Sequence, residues 1–302
     1  MRPAHLFRAV LALAAAPVLL GQLARVYPAF DSCNALLAPV LALLALLLLL
    51  SLIARDWRAV AIAVPALLMG ALQLAASGDG LPGEGADEGD RLRIVTLSTW
   101  HDNPDPAALV HAVEAQSPDI LLLQESDGTV SAMVDRLLPG YFRVKSCPAA
   151  HCSEIILSRW PLHRITLPAP AGSPLPDLLA VRVDAPFGPL HVVNVHLPRP
   201  GRDMAVPFRN DLLGTIAALG PARLIVAGDF NLGTGSLALA AFTRHAGLRR
   251  IEGFVPTYPA NLPIPAFVAI DHMFVGEGWT RARCHRLNAH GSDHYGLTCD
   301  LD

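Results

Sequence analysis

The sequence predicts an α/β fold, two packed mixed β-sheets with helices on the outside, preceded by three membrane-spanning helices. Three observations carry this. The front of the chain holds three apolar runs, Leu6 to Leu23, Cys33 to Ala54 and Trp57 to Ala76, each roughly long enough to cross a bilayer. From Arg91 onward strand-like runs dominate, with helical segments interspersed, a pattern that suits layered sheets and helices. Two polar motifs, Gly228-Asp229-Phe230-Asn231 and Ser292-Asp293-His294, fall at the tip of a buried strand and in a loop between two strands.

The apolar runs come first. Of 302 residues 52% are apolar and 16% charged, too greasy for a soluble enzyme of this size, and the excess lies at the front. Arg8 is close enough to the end of the first run to snorkel. A cleaved signal peptide would account for the first run but not for the two that follow it. Arg2 and Arg8 lie at the start of the first run, and Arg55 and Arg58 flank the turn between the second and third. The segment Ser77 to Asp90 has no Lys or Arg and carries Asp79, Glu84, Asp87, Glu88 and Asp90. Loop charge of this kind sets orientation, so the N-terminus is expected in the cytoplasm and the C-terminal domain outside it, in a bacterium the periplasm. The expected organisation is a membrane anchor over 1–76, a flexible acidic linker over 77–90 and one domain over 91–302.

In that domain Leu92 to Leu97 reads as a strand. Asp105 caps a helix with Pro106 at its first position, running to about Gln116. Asp119 to Gln124 is the next strand, and Val130 to Leu138 a helix stopped by Pro139-Gly140. Strands follow at Tyr141 to Val144, Glu154 to Ser158, Leu178 to Asp184 and Leu190 to His196, the last two joined as a hairpin through Ala185 to Pro189. A helix from Ala205 to Leu219 precedes the strand Leu224 to Gly228, and Leu237 to Ala246 is a further helix. Ile270 to Val275, Arg281 to Leu287 and Gly296 to Asp300 close as strands. Over this domain 18 Lys and Arg face 19 Asp and Glu, so no overall basic field attracts nucleic acid.

The polar residues at strand ends carry the chemistry. Glu125 ends a buried strand, a common way to hold Mg²⁺. His196 is near the end of another. Asp229 and Asn231, two apart on a strand, project from one face. Asp271 lies inside a strand, and in Ser292-Asp293-His294 an acid–base imidazole stands beside a metal-capable carboxylate. The series Glu, His, Asp-x-Asn, Asp, Ser-Asp-His resembles the endonuclease/exonuclease/phosphatase superfamily, from about Arg91 to Asp302.

That resemblance implies a DNase I-like four-layer sandwich and a divalent-metal-dependent phosphoester hydrolase using Mg²⁺, with Mn²⁺ as the other cation. By resemblance Glu125 and Asp293 lie at the metal, Asp229 positions or activates the attacking water and Asn231 holds the phosphate. His294 is the general base or a phosphate-binding imidazolium, Asp271 pairs with it, and His196 donates to the phosphate or leaving group. Tyr258, in Thr257-Tyr258-Pro259, resembles an aromatic placed near the substrate. One position departs from the pattern. Ser98 stands where most members have an Asn that helps hold the metal, and its hydroxyl is shorter than an amide and offers no carbonyl. His101, Asp102 and Asn103 follow closely enough to compensate. An alternative is therefore a catalytically weak or inactive binding protein on the same fold. The expected substrate is a phosphodiester outside the cytoplasm, a lipid head group or nucleic acid, and the other expected partner is the membrane. No protein partner can be read.

Cys33 reads as a small apolar residue. The spacings of Cys147, Cys152, Cys284 and Cys299 do not match common zinc sites, and an even number outside the cytoplasm suggests disulfides, with free buried thiols as the alternative. The expected pairs are Cys147–Cys152, closing a small loop, and Cys284–Cys299, on two strands that flank the Ser292-Asp293-His294 loop.

Overall fold

The computed structural model describes residues 3–76, 91–126, 128–146, 153–167, 178–199, 212, 214–216, 218–220 and 222–302. The expected 77–90 linker, Cys147 and Cys152, and most of the helix expected from Ala205 to Leu219 lie outside them. The chain divides into two units. One holds the N-terminal helices with Arg199 and Leu232–Ala241; the other holds the remaining described residues from Arg91 on.

The first unit contains α1 (Pro3–Gln22), α2 (Asp31–Ala35), α3 (Leu37–Ile53) and α4 (Trp57–Ala76). Pro3–Arg25 and Trp57–Ala76 are long and apolar enough to cross a membrane. The expected second run is not one straight helix. Pro28–Ala35 and Leu37–Ile53 meet at 58°, so a third crossing exists only if that bent pair is one span. Pro39 explains the break: its ring would collide with the carbonyl four residues back, at Ala35, where α2 ends. Arg8 does not simply reach for solvent but pairs with Asp56 at 2.8 Å.

Buried polar groups in this unit satisfy one another, as groups removed from water must. Asp31 accepts from Ser236 Oγ at 2.6 Å and from the backbone N–H groups of Leu237 and Ala238 at 3.1 and 3.3 Å. Gln73 Nε2 donates to Gly235 O at 2.7 Å and to Asn34 Oδ1 at 2.8 Å. Asn34 in turn donates to Asp31 Oδ1 at 2.7 Å.

The second unit is built on twelve strands: β1 (Leu92–Ser98), β2 (Ile120–Gln124), β3 (Phe142–Lys145), β4 (Ile155–Ser158), β5 (Leu162–Arg164), β6 (Leu178–Ala185), β7 (Gly188–His196), β8 (Leu224–Asp229), β9 (Arg249–Arg250), β10 (Asp271–Val275), β11 (Ala282–Leu287) and β12 (Gly296–Leu301). They form two mixed six-stranded sheets, ordered β11-β12-β1-β2-β4-β3 and β5-β6-β7-β8-β10-β9. Alternate residues point to opposite faces of a strand. Ile94, Ile120, Leu122 and Ile156 of the first sheet therefore meet Val181, Val192, Ile225 and Met273 of the second in one core between the sheets. The intervening Val95, Leu97, Leu121 and Leu123 pack outward on α5 (Pro106–Ala115) and α6 (Gly128–Leu137). On the outer face of the second sheet, Phe242 of α7 (Leu237–Ala246) packs edge-on against Phe274 at 5.3 Å. This is the two-sheet α/β arrangement with flanking helices that the sequence predicted.

Asp105 caps α5 by accepting from Ala108 N at 3.0 Å. The β6–β7 hairpin is tighter than expected, pairing as far as Ala185 with Gly188 across Pro186-Phe187, with Gly188 at φ +111°. β5 and β9 were not foreseen, because three and two residues carry no readable alternation. Cys284 and Cys299 face each other across β11 and β12 and are joined by a disulfide, with Cα atoms 4.1 Å apart. It ties the two strands on either side of the loop that carries His294.

Candidate active site

The strand register gathers the polar residues. β7 and β8 run parallel with His196 beside Asp229, and β10 runs antiparallel with Asp271 beside Asp229. In the first sheet β1 and β2 run parallel with Ser98 beside Gln124, so Glu125 is the next residue out. The carboxyl ends of neighbouring parallel strands are where α/β sheets place ligands. Gly228 makes the β7–β8 approach feasible. At φ +146°, a Cβ there would lie 1.9 Å from Val195 O.

The side chains form a line of alternating carboxylates and imidazoles. Asp271 Oδ2 accepts from His294 Nδ1 at 2.9 Å. His294 Nε2 and His196 Nε2 each lie 3.8 Å from Asp229 Oδ2. His196 Nε2 is also 3.5 Å from Glu125 Oε1, and His101 Nδ1 is 3.3 Å from Glu125 Oε2. Asn231 orients Asp229: its backbone N–H donates to Oδ1 at 2.8 Å and its amide to Oδ2 at 3.1 Å. The same amide donates to Leu197 O at 2.8 Å, so its donors serve the scaffold rather than face outward. Both Glu125 and Asn231 hold left-handed backbone, φ 52° and 50°. Such strain in non-glycine residues clusters at functional sites.

Burial and charge set the protonation states. Burial pushes the Asp229 carboxyl up to about 6, reinforced by Asp271 and opposed by the two imidazoles. Burial works against a charged His294, but the Asp271 and Asp229 carboxylates outweigh it and raise the imidazole to about 10. The pair at neutral pH is an ionised Asp229 beside an imidazolium.

The remaining predicted residues take varied places. The Tyr258 ring stands 5.1 Å from the His294 ring. The backbone carbonyl of Asp293 accepts from Ala260 N at 2.7 Å, which pins the loop. Ser98 is fully buried and its Oγ has no partner among the described residues; its backbone carbonyl accepts from Ser292 Oγ, which also accepts from His294 N. Asn103 is structural, donating to Thr99 O at 3.1 Å. His272 faces away from the line and bonds Glu252 at 2.7 Å in a buried setting.

Sequence reading missed the floor of the site. Gln124 donates to Asn194 Oδ1 at 2.6 Å and to Thr96 Oγ1 at 3.0 Å, and Asn194 donates to Leu123 O at 2.8 Å. This links the two sheets beneath Glu125. The available signal was an Asn inside the apolar run Val192 to Val195.

The donor set suits a divalent cation. Glu125 supplies a carboxylate between two imidazoles, and one oxygen each of Asp229 and Asp271 lies within 4.8 Å of the other and of a His294 ring nitrogen, which as an imidazolium donates rather than ligates. Asp271 Oδ1, buried, has no partner among the described residues.

Residues 95–294 match the endonuclease/exonuclease/phosphatase family. The chain belongs to this family. Phosphoester hydrolysis is the reaction class that membership brings. Among curated proteins none matches the chain. Solved structures of similar fold include an endonuclease/exonuclease/phosphatase from Beutenbergia cavernae, 21% identical over 70% of this chain and 71% of that one, with a TM-score of 0.54. D. rerio TDP2 complexed with single-strand DNA product is 17% identical over 70% of this chain and 99% of that one, with a TM-score of 0.55. A family protein from Bacteroides thetaiotaomicron is 16% identical over 70% and 97%, also at 0.55. At these identities the likeness is one of fold, and it is the endonuclease/exonuclease/phosphatase fold.

Proposed function

We infer that this chain is a membrane-tethered, divalent-metal-dependent phosphodiesterase whose catalytic domain, about residues 91–302, works outside the cytoplasm. The observation that carries the chemistry is Asp229 held between His294 and His196, with His294 oriented by Asp271.

The residues divide the work as follows. Asp229, its carboxylate aimed by Asn231, accepts the proton of the attacking water; a group poised near 6 is ionised at neutral pH yet basic enough to do so. His294, held charged by Asp271, donates to a non-bridging phosphoryl oxygen and offsets the charge that builds there. His196 donates to the leaving oxygen. The water oxygen bonds to phosphorus as the ester P–O bond breaks. A cation, Mg²⁺ or Mn²⁺, held by Glu125 with Asp293 would add positive charge at the phosphoryl and leaving oxygens. A groove lined by Trp100, Asn261, Asn288, His290, Ser292 and Tyr295 adjoins the loop carrying His294 and suits the organic part of the ester.

The N-terminal helices serve as the tether, in a three-span arrangement if the bent pair crosses as one. The basic residues near their ends support a cytoplasmic N-terminus. A tether and a near-neutral domain favour phosphodiesters at the bilayer, lipid head groups ahead of nucleic acid. The test is a screen of the full chain in detergent with Mg²⁺ or Mn²⁺ against phospholipids, sphingomyelin, DNA, RNA and an aryl phosphodiester. Metal-dependent turnover of at least one is expected. Turnover of none would favour a binding protein on the same fold.

A further inference from the structure

His101 stands in the loop after β1 with both ring nitrogens against carboxylates. Nδ1 is 3.3 Å from Glu125 Oε2 and Nε2 is 3.2 Å from Asp102 Oδ2. We propose that His101 is a metal ligand through Nδ1, sharing the Glu125 cation, with Asp102 fixing its tautomer, and that this mixed nitrogen–oxygen site takes Mn²⁺ in preference to Mg²⁺. The proposal rests on the metal-dependent reading above.

The spacing fits shared ligation. Two ligand atoms about 2.1 Å from one ion and at right angles lie about 3 Å apart. The ring's second nitrogen fits as well. An imidazole that gives one nitrogen to a metal regularly donates the other N–H to a carboxylate, which sets ring orientation and strengthens the ligand. Asp102 is placed to receive it.

The loop is built to hold this position. Thr99 N donates to Gln124 O at 2.9 Å, and its hydroxyl donates to Glu125 O at 3.1 Å. The start of the loop is thus pinned to the strand end that carries Glu125. Asn103 bonds back to Thr99 O and closes the turn around His101. Trp100, just before it, is held at φ 60°. Ser98 offers only a short hydroxyl where an amide carbonyl would reach further, and its Oγ is buried with no partner among the described residues.

The choice of ion follows from the donors. All-oxygen sites suit Mg²⁺, whereas an imidazole shifts a site towards transition ions. Mn²⁺ accepts both donor types and is paramagnetic, so it reports its own ligands.

The experiment is pulsed electron paramagnetic resonance on Mn²⁺ bound to the full chain in detergent. The expected result is nitrogen-14 modulation from a directly bound imidazole, lost in His101→Gln and kept in His196→Gln. In parallel, Mg²⁺ titrated against bound Mn²⁺ should displace it at least about tenfold more readily from His101→Asn than from wild type. Circular dichroism checks that each variant is folded. Modulation absent from the wild type, or undiminished in His101→Gln, overturns the assignment and leaves the metal-dependent reading intact. A chain that binds no Mn²⁺ overturns both.

Discussion

At Asp229 and His294 the catalytic line becomes a statement about pH. Asp229 has to be ionised to accept the water's proton, and its carboxyl sits at about 6, so activity should rise as pH passes through about 6. His294 has to be charged to bind phosphate, and its imidazole sits at about 10, so activity should fall only as pH passes about 10. The expected kcat/KM profile is a plateau between those limits. An alkaline limb near pH 7 would mean that His294 is neutral in the working enzyme. The individual residues were also the most legible part of the sequence. Glu125, His196, Asp229, Asn231, Asp271 and His294 stood at strand ends or in one loop, where position in the chain predicts position in the site. The Asn231 amide donates to Asp229 and to Leu197 O, which is why the proposed mechanism assigns the phosphate to the imidazoles. Asn194 and Gln124 were read as strand filler because a cross-sheet hydrogen bond has no local signature.

Among the elements, β7 and β8 carry the geometry, and Gly228 is the residue on which their approach depends. Any side chain there collides with Val195 O. Gly228→Ala should destabilise the chain by about 3 kcal/mol or more, combining overpacking with a left-handed backbone, and thermal unfolding of the full chain measures it. An unchanged melting temperature would show that the two strands can separate at no cost. The long strands and α5 to α7 were legible because apolar alternation or helical spacing with caps spans several residues. α2 and α3 were not, because hydropathy reports how apolar a run is and not whether Pro39 bends it. β5 and β9 are edge pairings set by their neighbours rather than by their own sequence.

For the whole molecule, two helices are long and apolar enough to cross a membrane, and the proposed tether and its orientation rest on that length and on loop charge. Alkaline phosphatase fused after Asp302 should be active in a bacterial host, and a fluorescent protein that matures only in the cytoplasm should stay dark. The reverse would place the domain on the cytoplasmic side and remove the case for a bilayer-facing substrate outside. The disulfide between Cys284 and Cys299 accords with an oxidising compartment. The central claim is nonetheless chemical: the Asp271–His294–Asp229 line hydrolyses phosphoesters. The most direct measurement is turnover of an aryl phosphodiester by the full chain with Mn²⁺, wild type against His294→Ala. A positioned acid–base group contributes about 10²–10⁴-fold, so the variant should lose at least about a hundredfold in kcat with its fold intact. A variant retaining more than about a tenth of wild-type turnover would contradict the account.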